Sequence, residues 1–312
     1  MSENEQATPE QPSKRGTLVI LASVAATVLA IVLAIGYSVL GNRQPSAPGG
    51  QSPSNPTMTA SPGPTPAISL PTGRLAPLTT RVLIGSGAIG TDIAKGIPAA
   101  FKAAERSGPR VTPWVKARKS RGPVIATATV GQTGDPESRF RAFANLVNDA
   151  PLNSIDVAIM ALNYEDITAE TDISRVFENY ASTMESIEQA NPDIKFLYAT
   201  VPVTTSNSWR AVDAATVIGL IDVNQPVWQD NIARERFNGL IRSQYASSGR
   251  LFDIAALEAR ISEGKAAAKM HENQWYFVMN PSLSSNGKRL GKAGAVQLAD
   301  MLVRLVAARV KS

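Results

Sequence analysis

Hydrophobic positions along this chain fall into three regimes. From Thr17 to Leu40 they run without a charged residue. From residue 44 to 73 they thin out among Pro, Ser, Thr and Gly, and from about residue 79 they recur with the periods of strands and helices. In the third regime Val82–Ile84 is a short apolar run broken by Gly85, Gly87 and Gly90. Ile93, Ile97, Ala100, Phe101 and Ala104 follow at helical spacing. Strand runs are predicted at Val124–Val130, Ile155–Leu162, Ile194–Val201 (stopped by Pro202) and Leu251–Ile254. Helices are predicted over Pro136–Asn148, Ile173–Gln189, Val227–Tyr245 and Lys292–Val310. Strands alternating with helices predict an α/β fold: a single three-layer domain around a mostly parallel sheet of about five strands. Strand, glycine-rich turn and helix at Arg81–Ala94 is the unit such sheets are built from, and ligands bind at the carboxyl ends of the strands.

The first regime has the length, about 20 residues, of a helix crossing the hydrocarbon core. A cleaved signal peptide is the alternative, but its apolar core is about 7–15 residues and a small-residue cleavage site follows it. The expectation is a single-pass anchor over residues 17–40 in a cell membrane. Lys14 and Arg15 against Arg43 place the tail, 1–16, in the cytoplasm and the rest outside. Residues 41–78 read as a disordered linker, whose charge-free stretch 44–73 has a limiting reach on the order of 90 Å at about 3.1 Å per residue. Its Ser/Thr-Pro content also suits O-glycosylation. The globular domain then spans 79–312.

Composition narrows the chemistry. There is no cysteine, hence no disulfide, thiolate metal site or cysteine nucleophile, and no cofactor or metal is expected. The single histidine is His271, so any serine–histidine mechanism must use it. The net charge of +5 comes from 31 basic and 26 acidic residues and reads as interspersed, which excludes a nucleic-acid partner.

Seven stretches, in order, resemble the SGNH (GDSL-like) hydrolase superfamily, whose fold is flavodoxin-like. They are Gly85-Ser-Gly-Ala-Ile-Gly90, Gly131–Pro136, Asp156–Ile167, Tyr198–Pro202, Asn231–Asn238, Phe252–Ala255 and Asn286–Gly294. The branch resembled reads Gly-His-x-Ser-Val-Gly at the nucleophile turn and Asp-Gly-x-His-Leu-Asn-x-x-Gly at the last block. The resemblance implies acyl transfer by a serine, a histidine base and an aspartate that orients it, with the developing oxyanion met by N–H groups and an asparagine. Carried over position by position, the nucleophile becomes Ala88, the base Arg289, which cannot accept a proton, and the orienting carboxylate Asn286. The expectation is a degenerate triad, and a pseudo-hydrolase with a binding or scaffolding role at the cell envelope.

Ser86, Gly131 or Gly134, Asn163 and Arg289 are then the candidate contacts for an anionic or acylated ligand, such as an envelope glycan; a protein partner is the other reading. The alternative function is an active ester hydrolase or carbohydrate esterase using Ser86 with His271 or another base. Against it, Ser86 also reads as a turn residue bonding its own backbone, and His271 as a solvated loop residue. The run Lys116, Arg118, Lys119, Arg121 reads as a solvated loop or a contact for anionic polymer or lipid. Trp114, Trp209, Trp228 and Trp275 read as core or a sugar platform. Glu165 and Asp166 are adjacent and point opposite ways, which disfavours a paired-carboxylate site.

Overall fold

In a computed structural model, residues 75–205, 228–263 and 265–310 are described. The anchor expected at 17–40, its tail and most of the linker lie outside them. Among the described residues no helix is long and apolar enough to cross a membrane.

Six parallel strands form the central sheet: β1 (Arg81–Ser86), β2 (Arg110–Pro113), β3 (Val124–Thr129), β4 (Val157–Ala161), β5 (Lys195–Ala199) and β6 (Leu251–Phe252). Their order is β2-β3-β1-β4-β5-β6. About five strands were expected from the apolar runs; the extra one is β2. Its sequence, Arg-Val-Thr-Pro, has both ends exposed, because it is an edge strand. Its arginine, its proline and its four-residue length blunt that edge against pairing with another chain. β6 ends sooner than the expected run, because Asp253 accepts the N–H of Ala256 and caps the next helix.

The helices are α1 (Ala88–Ala103), α2 (Trp114–Ala117), α3 (Pro136–Asn148), α4 (Ile173–Ala190), α5 (Trp228–Tyr245), α6 (Ile254–Ala259) and α7 (Lys292–Val310). Alternate residues of each strand feed two separate cores. Val82, Ile84, Val157, Ile159 and Leu197 face α1, α6 and α7. Leu83, Ala158, Met160, Phe196 and Tyr198 face α3, α4 and α5. Every residue of β4 is buried, which is why its sequence is continuously apolar rather than alternating. Each large apolar side chain enclosed this way contributes about 1.5–3 kcal/mol.

Two short hairpins were not foreseen: β7 (Arg260–Ser262) with β8 (Lys265–Ala266), and β9 (Ala268–His271) with β10 (Gln274–Phe277). The second turns on Glu272 and Asn273, both at positive φ (46° and 64°), as a two-residue hairpin turn of the primed type requires.

Candidate functional site

After β1 the chain builds β2 and β3 on one side, then crosses to β4 on the other. The strand order therefore reverses between β1 and β4, and a crevice opens at their carboxyl ends. Ala88 opens α1 directly after β1, and Asn163 lies just beyond β4. Both line one cavity, with Asp92, Tyr164, Lys288 and Arg289 among the other residues around it. Its volume is about 10 Å³, room for about one water.

An ion pair forms part of the wall of this cavity. Arg289 donates from Nε to Asp92 Oδ2 at 2.6 Å and from Nη2 to Oδ1 at 2.7 Å, a bidentate fork. Asp92 is buried one helical turn beyond Ala88, and Lys95 approaches it to 3.5 Å from the solvent side. The hydrogen bond to Asp92, opposed by partial burial, raises the Arg289 pKa further, so this group stays a cation. Asn286 is not part of the cavity wall. Its Oδ1 accepts the N–H groups of Lys288 and Arg289, at 3.1 and 2.9 Å, closing the turn that presents Arg289. Ala88 and Arg289 thus share the crevice, while the third position serves its own loop.

The Asn163 side chain is held at both ends. Oδ1 accepts the N–H of Ile89 at 3.2 Å. The amide nitrogen lies against Gly87, where an added Cβ would come within 2.1 Å of Nδ2. No residue larger than glycine fits there without moving the asparagine.

Gly134 corrects an expectation. Its N–H, sought as an oxyanion donor, donates to Asp166 Oδ1 at 3.0 Å. Gly131, at φ +63°, is pressed against the Arg139 backbone and lies away from the cavity wall. Both loops are organised by a buried pair absent from the sequence reading. Asp166 accepts Arg139 Nε at 2.8 Å, Arg139 Nη2 at 3.0 Å and the Asn163 N–H at 2.7 Å. The Glu165–Asp166 step lies on a 3₁₀ turn rather than a strand end, and Asp166 is fully used by this network.

Ser86 and His271 belong to different parts of the molecule. The Ser86 hydroxyl is buried and donates to the Gly87 carbonyl at 3.1 Å. His271, expected in a solvated loop, lies in β9 with its ring centroid 3.8 Å from that of Trp228. Among the described residues no hydrogen bond joins them. Among the described residues the tryptophans form no common platform: Trp114 is core, Trp228 lies against His271 with the rings tilted at 41°, and Trp275 is exposed on β10, while Trp209 lies outside the described residues.

Beneath the crevice lies a second unforeseen polar group. Arg234 is buried and donates to the carbonyls of Tyr164 (2.9 Å) and Ile167 (3.1 Å) and to Asn231 Oδ1 (2.8 Å). Burial lowers its pKa to about 10, so it remains charged at neutral pH. Glu258 is wholly buried, its Oε2 accepting the Val203 N–H at 2.8 Å and its Oε1 without a hydrogen bond among the described residues. Desolvation drives this carboxyl up to about 8. Burial also raises the Tyr164 phenol and lowers the Lys288 ammonium. No signal in the sequence marks Glu258, which sits in an apolar helix, Ile254–Ala259.

Chemically, the crevice offers a methyl group, an amide, a phenol, an ammonium and an internal ion pair; among the described residues no serine, threonine or histidine lines it. No protein-family model matches the sequence, and no curated protein does. Solved structures are similar at low identity. A GDSL-like lipase from Bacteroides thetaiotaomicron matches at 13% identity over 74% of this chain and 88% of its own, TM-score 0.42. A putative lipolytic protein of the G-D-S-L family from Desulfitobacterium hafniense matches at 12% over 72% and 99%, TM-score 0.41. The lipopolysaccharide acetyltransferase periplasmic domain of Salmonella Paratyphi A matches at 9% over 77% and 87%, TM-score 0.40.

Proposed function

We propose that this chain is a membrane-anchored, extracytoplasmic domain of SGNH-hydrolase type that does no acyl transfer and serves as a binding or scaffolding module at the cell envelope. One observation carries the reading. The crevice where a nucleophile and its base would meet holds Ala88 and a guanidinium locked on Asp92. Acyl transfer needs an oxygen or sulfur nucleophile and a group that can take its proton. A methyl group is no nucleophile, and an arginine paired to a carboxylate does not give up its charge. The small volume also argues against an acyl or sugar ligand entering between these residues unless the ion pair opens. The partner is therefore sought on the surface as well as in the crevice.

Hydrolysis of short aryl esters by the purified full chain in detergent tests this. The expected rate is that of buffer, unchanged in Ser86→Ala. A rate above buffer that Ser86→Ala abolishes would return the chain to the active esterases.

A further inference from the structure

The basic residues are not interspersed. Residues 102–121 hold seven of them (Lys102, Arg106, Arg110, Lys116, Arg118, Lys119 and Arg121) against one acidic residue, Glu105, a local excess of six in a chain of net charge +5. The remainder of the sequence is close to neutral. All seven are exposed. Among the described residues none of them makes an ion pair, and only Arg110 bonds a side chain, that of Ser120. Elsewhere on this domain arginines are routinely neutralised, as Arg242 is by Glu235 and Asp253. An unneutralised cluster on one sheet edge raises a local positive potential that favours an anionic surface.

Its place in the fold is equally specific. α1 starts at the carboxyl end of β1 and runs back, so Lys102 and Arg106 lie at the amino ends of the strands, where Arg110 begins β2. Arg81, the first residue of β1, ties the 117–122 segment to that same end by donating to the carbonyls of Ala117 and Gly122, both at 3.0 Å. The chain enters the domain there too, through buried Leu75 and Leu78 just before β1. The crevice lies at the opposite end of the sheet. Val115, 60% exposed beside Lys116 in α2, puts an apolar side chain on the same surface segment.

We propose that this edge docks on an anionic lipid bilayer, that of the membrane carrying the chain, with basic side chains on headgroup phosphates and Val115 at the interface. The occupant follows from charge and chain path together. The inference rests on reading residues 17–40 as an anchor, together with the described chain leading into β1 at the cationic end of the domain. Docking would turn the β1–β4 crevice away from the bilayer.

The chain lacks cysteine, so a single label can be placed. Full-length protein carrying a fluorophore at Val115→Cys, or at Ser285→Cys near the crevice, is reconstituted in vesicles of phosphatidylcholine alone or with 30% phosphatidylglycerol. Energy transfer to headgroup-labelled lipid is then read. The expected result is higher transfer from position 115 than from 285 in anionic vesicles, lost in 0.5 M salt and in Arg118→Glu/Lys119→Glu/Arg121→Glu. Equal transfer from position 115 in neutral and anionic vesicles, or no change on charge reversal, overturns the proposal. All three reversed residues are exposed, and an unchanged unfolding midpoint confirms that the variant is folded.

Alkaline extraction from neutral vesicles reports separately on the anchor. Should the chain be extracted, salt-reversible co-sedimentation with anionic vesicles alone becomes the readout, weakened at least about tenfold by the three reversals. No co-sedimentation then refutes docking. Tighter binding to soluble polyphosphate than to anionic vesicles at matched charge would reassign the edge to a polymer, and also refutes it.

Discussion

Glu258→Gln isolates the energetic cost of the carboxyl buried beneath the crevice. In the unfolded chain this group titrates near 4.5; in the fold, burial holds the proton up to about 8. Between those values the unfolded state releases a proton that the folded state keeps, so the free energy of unfolding falls as pH rises. Below about 4.5 both states are protonated and the effect is absent. The gap of about three and a half pH units, at about 1.4 kcal/mol each, sets an upper bound of roughly 5 kcal/mol. Local relaxation and water entry reduce this, and about 2–4 kcal/mol is expected. Glutamine keeps the size and the acceptor for the Val203 N–H but carries no charge. The assay is urea unfolding of the full chain in micelles, followed by tryptophan fluorescence, for wild type and variant at pH 5 and pH 9. Taking the difference between the two proteins at each pH cancels every other titrating group. The variant should be close to wild type at pH 5 and more stable at pH 9, its midpoint higher by about 1 M at a typical urea slope. A midpoint difference that is the same at both pH values would show that Glu258 is ionised in the fold at neutral pH, and that the account of this cluster is wrong.

Two further outcomes follow from the network around Asn163. Asp166→Ala strands the buried Arg139 guanidinium and should cost about 3–5 kcal/mol by the same urea assay, with faster amide exchange at Gly134 and Asn163; loss below 1 kcal/mol would mean the pair is solvated. Gly87→Ala places a methyl group on the Asn163 amide and should cost about 1–3 kcal/mol, largely relieved by Asn163→Ala in the double variant.

The core strands were legible because both their faces are covered, so β1, β4 and β5 read as apolar runs. β2 was not, since an edge strand of four residues with two exposed ends carries too little hydrophobic pattern. The β9–β10 hairpin escaped because Glu272 occupies a positive-φ turn position normally read from glycine or asparagine. At the site, the motif resemblance singled out Ala88, Asn163 and Arg289, which line one cavity. Asp92 could not: its pairing with Arg289 joins positions 197 apart in sequence, and only the packing of α7's preceding loop on α1 brings them together. Arg139 and Asp166 escaped for the same reason, 27 residues apart and on elements whose approach no local pattern encodes. The charge was misjudged because a count over the whole chain hides that one sheet edge holds the surplus.

The most direct test of the claim that this crevice carries no activated nucleophile is mass spectrometry of the full chain after exposure to a fluorophosphonate, which phosphonylates activated serines. The account predicts no adduct, and none at Ser86, whose hydroxyl is buried on its neighbour's carbonyl. A stoichiometric adduct at Ser86, lost on unfolding before labelling, would contradict it.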